Sequence, residues 1–147
     1  MKKATRATAF SFLRAHSVGI LATRFASGVS TSPVTYVVTD GRTLKFVTRD
    51  QTAKVQNITS ADQVAFSVVD EERQIAVNIR GKASIIDDIK SMQPTLKAIR
   101  ALGHKEELPV MKYRLGDYVV VEIFPSHIQY TNFSDSKDSY SEYINNL

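Results

Sequence analysis

The chain has no cysteine, which excludes a disulfide framework, a thiolate nucleophile and any Cys-ligated zinc or iron–sulfur centre. Histidine is scarce: His16, His104 and His127 stand far apart and show no metal-ligand spacing. Carboxylates are missing from the N-terminal stretch, where Lys2, Lys3, Arg6, Arg14 and Arg24 all precede the first acidic residue, Asp40. Long apolar runs are missing too; Val119–Val121 is typical, far below the length a membrane-spanning helix needs. What is present is ordinary. A length of 147 residues with 43% apolar side chains predicts one soluble domain over residues 1–147, read as cytoplasmic.

Three readings compete for the basic N-terminus: a cleaved transit peptide, a patch for an anionic partner, or a basic helix of the fold. A strand-like pattern already begins at Ser17 and leaves little room for a removable segment. Residues 4–16 read as a helix, with Ala9, Phe10, Phe12 and Leu13 apolar. The period then changes to two. Ser17–Phe25, Ser30–Thr39 and Arg42–Arg49 read as strands, with Asp40-Gly41 as a hairpin turn between the last two. Asp50 is the expected cap of a helix over Gln51–Ser60. Gln63–Val69 and Gln74–Asp87 follow as strands, the second bent or bulged at Gly81. Pro94–Leu102 reads as a helix stopped by Gly103, and Tyr118–Phe133 as a last strand bent at Pro125. Residues 134–147 read as a polar, mobile tail. A mainly β chain with short helices removes its sheet edges most simply by closing into a small antiparallel barrel. An oligonucleotide-binding barrel is the rival architecture.

Catalytic templates fail by inspection. No nucleophile turn, His-Glu-x-x-His pattern or Gly-rich phosphate loop is present, and Glu71-Glu72, Asp87-Asp88 and Glu106-Glu107 read as solvated charges. One stretch stands apart. A strand ends at Thr48 and a helix opens near Thr52, so unpaired first-turn amides meet the hydroxyls of Thr48 and Thr52 and the cations Arg49 and Lys54. That set suits an anion, a phosphate above all. The competing reading makes Thr48 and Arg49 ordinary strand-end residues and puts Lys54 on a solvated helix face.

Thr48, Thr52 and Lys54 followed by Val55-Gln56-Asn57-Ile58 resemble the phosphate-binding stretch of the pyridoxamine 5'-phosphate oxidase-like, FMN-binding split barrels. Val18–Thr23, Ser32–Tyr36, Val77–Ala83 and Val119–Tyr130 resemble further strands of that family, in the right order over roughly residues 8–133. The resemblance implies a six-stranded antiparallel split β-barrel that forms a homodimer, with FMN held between subunits. It implies Thr48, Thr52 and Lys54 on the FMN phosphate, with Arg49 as an extra contact. Ser32, Pro33, Val34 and Thr35 would run beside the isoalloxazine ring, donating from the backbone near Thr35, and Arg80 would either reach across the groove or stand in a surface ion pair. Tyr36 and Tyr130 are candidates either for stacking or for the core.

Departures matter. The oxidases proper carry an arginine on the second strand where this chain has Ser32 and Thr35, and a basic residue where it has Ala53. The C-terminal segment with Arg and Trp that grips pyridoxal phosphate is missing as well. Fewer cations weaken a phosphate site, so oxidation of vitamin B6 is not the expected activity. The expectation is a flavin-dependent oxidoreductase acting on a small molecule, its redox chemistry borrowed from the cofactor. The alternatives are a non-catalytic flavin or haem binder, with His16 or His127 as axial ligand, or a deazaflavin-dependent reductase whose anionic cofactor tail meets the basic N-terminus. Neither nucleic acid nor membrane is an expected partner, because the aromatics are not interleaved with Lys and Arg.

Overall fold

Period-two alternation of apolar and polar side chains generates seven strands. They are β1 (Val18–Phe25), β2 (Gly28–Thr39), β3 (Thr43–Arg49), β4 (Gln63–Asp70), β5 (Ile75–Ile86), β6 (Tyr118–Asn132) and β7 (Tyr140–Tyr143). Three helices accompany them: α1 (Arg6–Arg14), α2 (Ala53–Ser60) and α3 (Ile89–Arg100). The structure, a computed structural model, describes residues 3–39, 42–103 and 117–144. The expected Asp40-Gly41 turn, the Glu106-Glu107 pair and His104 lie outside the described residues.

The sheet order is β3-β2-β1-β4-β5-β6-β7, and β3 pairs again with β6 from Leu44↔Ile123 to Arg49↔Tyr118. That second pairing closes six antiparallel strands into the expected split barrel, with β7 added on the far side of β6. Leu21, Phe46, Phe66, Val77, Ile79, Ile123 and Ile128 fill the interior. Helix α1 adds Phe10, Phe12 and Leu13 to that core, and α2 adds Ile58. The buried Tyr36 hydroxyl donates to the Leu13 carbonyl at 2.6 Å, tying α1 to β2. Burial pushes the Tyr36 phenol well above the usual tyrosine range. Helix α3 packs outside the barrel, with Met92, Leu96 and Ile99 against Val37, Tyr118 and Val120.

Element types follow the sequence, but several boundaries do not. Thr52, not Asp50, is the N-cap residue of α2. Helix α3 starts at Ile89 because the Asp88 carboxylate accepts from the Ser91 amide at 2.8 Å, so Pro94 falls inside the helix rather than opening it. Those two hydrogen bonds from Ser91, backbone and side chain, hold the Asp88 carboxyl below the ordinary aspartate range. The segment expected to be a polar tail supplies β7, paired with β6 from His127↔Tyr143 to Tyr130↔Tyr140. The strand was hidden because Tyr140-Ser141-Glu142-Tyr143 has too few apolar residues to show a buried face.

The bend at Gly81 is a register shift between Arg80 and Gly81: Arg80 pairs with His127 but Gly81 with Pro125, leaving Ser126 as the extra residue. A Cβ at Gly81 would run into the Phe124 carbonyl oxygen and the Pro125 backbone, neither of which can rotate away. Gly81→Ala is therefore expected to cost about 1–3 kcal/mol, read as a lower urea midpoint with an unchanged slope.

Candidate functional site

The β2–β3 ladder runs only from Thr39↔Thr43 to Tyr36↔Phe46. Beyond Tyr36, β2 stays with β1 (Thr35↔Val18, Pro33↔Ile20), while β3 stays with β6 (Thr48↔Val119). The barrel splits there. The Tyr36 amide donates to the Ser17 carbonyl at 2.9 Å on the β1 side. Amides alternate sides along an extended strand, so the Thr35 N–H is turned toward the gap left by β3. Pro33 occupies the equivalent position two residues earlier and has no N–H to leave unpaired there.

At the end of β3, Thr48 is buried and Arg49 exposed, and the chain turns into α2 with the Asp50 amide donating to the Asp117 carbonyl at 3.1 Å. The Thr52 hydroxyl donates to the Arg49 carbonyl at 3.2 Å instead of accepting from the helix, and no side chain caps α2. The first-turn amides of α2 thus keep their capacity for an anion, and no acidic residue sits in that turn. Lys54 is half-buried in the same turn, and that burial lowers its ammonium below the ordinary lysine pKa. Asn57 anchors the helix: its side-chain amide donates to Thr23 Oγ1 at 3.0 Å and Ser30 Oγ at 3.4 Å, at the ends of β1 and β2. Val55 and Ile58 are buried beside it.

A surface cavity of about 430 Å³ is lined by Arg49, Asp50, Gln51, Thr52 and Asp117. Two carboxylates line it beside Arg49, so an affinity for anions at this end of β3 would have to come from the α2 amides and Lys54. The expected residues therefore separate into groups. Arg49 and Thr52 share one cavity, and Lys54 follows in the same first turn of α2 without lining it. Val34 is buried and shares the inward side of β2 with Ser32, while Pro33 and Thr35 face outward. Arg80 lies on the outer side of β5, its guanidinium 5.9 Å from the Tyr143 ring centroid. Tyr36 and Tyr130 are core residues, packed edge-on to Phe66 and Phe12. Sequence reasoning missed the tether from Asn57 and the presence of Asp117, because a polar contact between distant elements leaves no periodic signature.

The two described histidines, His16 and His127, have side-chain partners. His16 Nδ1 meets the Phe12 carbonyl at 2.7 Å and Nε2 meets Asp70 at 3.1 Å, with the ring stacked on Phe12. His127 Nε2 meets Ser141 at 2.9 Å, and burial beside the Arg80 cation lowers its pKa. Among the described residues no cluster of His, Asp or Glu is placed to hold a metal. No helix among them is long and apolar enough to cross a membrane.

The model of the family described as Pyridoxamine 5'-phosphate oxidase matches residues 5–132. The chain belongs to this family. Solved structures of family shape agree. A pyridoxamine 5'-phosphate oxidase-related, FMN binding protein from Nostoc punctiforme PCC 73102 superposes with TM-score 0.65 at 15% identity, covering 95% of each chain. A FAD-binding protein from Mesorhizobium loti gives 0.69 at 14% identity, covering 88% of this chain and 95% of its own. A structure named F420 Reductase gives 0.63 at 23% identity over 80% and 93%. At such identities the likeness establishes the fold alone. No curated protein matches the chain in sequence.

Lys54 generates a prediction with a definite sign. Its folded-state pKa lies below the 10.5 of an ordinary lysine, so holding the charge in the folded, ligand-free protein costs stability at neutral pH. The cost is present in full below the folded pKa and disappears as pH rises toward the unfolded value. Lys54→Met should raise the melting temperature at neutral pH, and the difference should shrink at alkaline pH.

Proposed function

We propose that this chain is the subunit of a homodimeric flavin-dependent oxidoreductase of the pyridoxamine 5'-phosphate oxidase family, acting on a small molecule other than a B6 vitamer. The observation that carries the reading is the uncapped first turn of α2, with Lys54 half-buried in it and the split between β2 and β3 opening nearby. FMN is the favoured cofactor. A terminal phosphate suits three helix amides and one lysine.

Lys54 and the α2 amides hold the phosphate, assisted by Thr48, Thr52 and Arg49. The Thr35 N–H faces the gap and would donate to a carbonyl or developing negative charge on the ring. When bound, the flavin supplies the hydride-accepting and electron-passing chemistry; the polypeptide binds, orients and excludes water. Both ring nitrogens of His16 already have partners, which disfavours it as a haem ligand. A deazaflavin keeps the same phosphate logic and is separated from FMN by its spectrum.

The homodimer is supported by an uncovered sheet face. Val18 is 54% exposed, Ile20 44% and Val69 65%, and on neighbouring strands they share the outer side of the barrel with Ala65, Pro33 and Thr35. A second copy of this face would bury these side chains and bring two splits together, as a shared flavin groove requires.

FMN titrated into the purified protein should bind with a perturbed flavin band. Lys54→Met should weaken that binding by about tenfold or more while the fold persists; unchanged affinity would sink the phosphate assignment. Affinity in the parent protein should fall as pH rises through the lowered Lys54 pKa, and Lys54→Arg should move that loss to higher pH. Ile20→Glu should turn the dimer into a monomer by light scattering and weaken FMN binding with it.

A further inference from the structure

A cavity larger than the one at α2 lies elsewhere on the barrel. It measures about 780 Å³ and lies at the opposite end of β3, between α1, Arg42 and the middle of β6. Thr43 and Arg49 bracket β3, so the two sites are separated by roughly 20 Å of extended chain.

Its walls are of two kinds. Arg6 and Arg14 enter from α1, and Arg42 from the β2–β3 connection. Phe124, Pro125 and Ile144 supply an apolar wall, with Phe124 38% exposed. The bulge builds that wall. The extra residue, Ser126, donates its hydroxyl to the Arg80 carbonyl at 3.1 Å and accepts the Ile144 amide at 2.7 Å, holding Ile144 beside Phe124 and Pro125.

The charges there are unequally matched. Arg6 is paired with Glu142. Glu122, the carboxylate in the wall, accepts from Thr43 Oγ1 at 2.7 Å and lies 3.7 Å from Lys45 Nζ. Arg14 and Arg42 have no carboxylate within ion-pair distance among the described residues. Their guanidinium carbons sit 5.9 and 5.8 Å from the centroid of one buried ring, Phe10. Two like charges are thus held against a single aromatic ring at the mouth of a half-apolar cavity. The quadrupole of Phe10 compensates them only in part, and an anion seated between them would do so far better.

We infer that this cavity is a binding site for a small organic anion. Arg14 and Arg42 take its carboxylate or phosphate, and Phe124, Pro125 and Ile144 pack against its apolar body. The site is independent of flavin binding at α2, and it gives the basic N-terminal helix a task beyond solvation.

The test uses the full chain with 4-phenylbutyrate as probe and 4-phenylbutanol as its neutral counterpart, titrated by calorimetry and by amide chemical shifts. The carboxylate should bind saturably and more tightly than the alcohol, shifting amides in α1, at Thr43 and at Phe124. The double variant Arg14→Gln/Arg42→Asn should weaken 4-phenylbutyrate by about tenfold or more. Asparagine is chosen because Arg42 has φ +68°, which asparagine tolerates. Phe124→Ala should weaken carboxylate and alcohol alike, and Lys54→Met should leave 4-phenylbutyrate affinity within about twofold. Absence of saturable binding, equal affinity for the alcohol, indifference to the double variant in a protein with parental circular dichroism, or loss of binding in Lys54→Met would each overturn the site. The first three outcomes leave the FMN reading untouched, and the fourth would place the probe at α2 instead.

Discussion

The structure depends on one ladder, the pairing of β3 with β6. Without it, the other strands would form an open sheet with β3 as a bare edge, and Leu44, Phe46, Val121 and Ile123 would lose their shared interior. With it, β3 is pulled away from β2 after Tyr36, because a strand that closes the barrel at one end cannot follow its hairpin partner to the other. Closure and split are one event. The gap that frees the backbone near Thr35 is the geometric consequence of the bond pattern that completes the core.

Both candidate sites hang on the two ends of that strand. At its C-terminal end, β3 feeds α2, and the tether from Asn57 to Thr23 and Ser30 fixes where the uncapped helix turn points. At its N-terminal end, Thr43 meets Glu122 on β6, beside the cavity framed by α1. Tyr36 links the two regions, since it sits at the last rung of the β2–β3 ladder and also bonds α1 through the Leu13 carbonyl. A rigid barrel thereby positions groups that are remote in sequence, on backbone that its own hydrogen bonds have left available.

Membership of the pyridoxamine 5'-phosphate oxidase family supports the proposed reading, in which the polypeptide binds and orients and a flavin would supply the redox chemistry. The departures narrow the reading. In the proposed reading, Ala53 and the absence of a β2 arginine would leave Lys54, half-buried and so poorly solvated, as the main positive charge facing a phosphate. The carboxylates Asp50 and Asp117 beside Arg49 sharpen that dependence further.

The sequence by itself determined the order and type of six barrel strands, the bend at Gly81 and the stretch Thr48–Ile58 as the anion-binding candidate. These are local matters: side-chain alternation, glycine at a crowded position and helix-start chemistry are all written over a few neighbouring residues. Tertiary structure alone decided that Tyr140–Tyr143 is a strand, since four mostly polar residues become one only when β6 offers an edge. It also decided that Asn57 is an anchor and that Asp117 borders the site, as neither contact follows a period. The N-terminal cations show the difference most plainly. Sequence could say that Arg6 and Arg14 sit on a basic helix. Only folding could bring Glu142 of β7 to Arg6, and set Arg42 over the same Phe10 ring as Arg14, because these residues are remote in sequence.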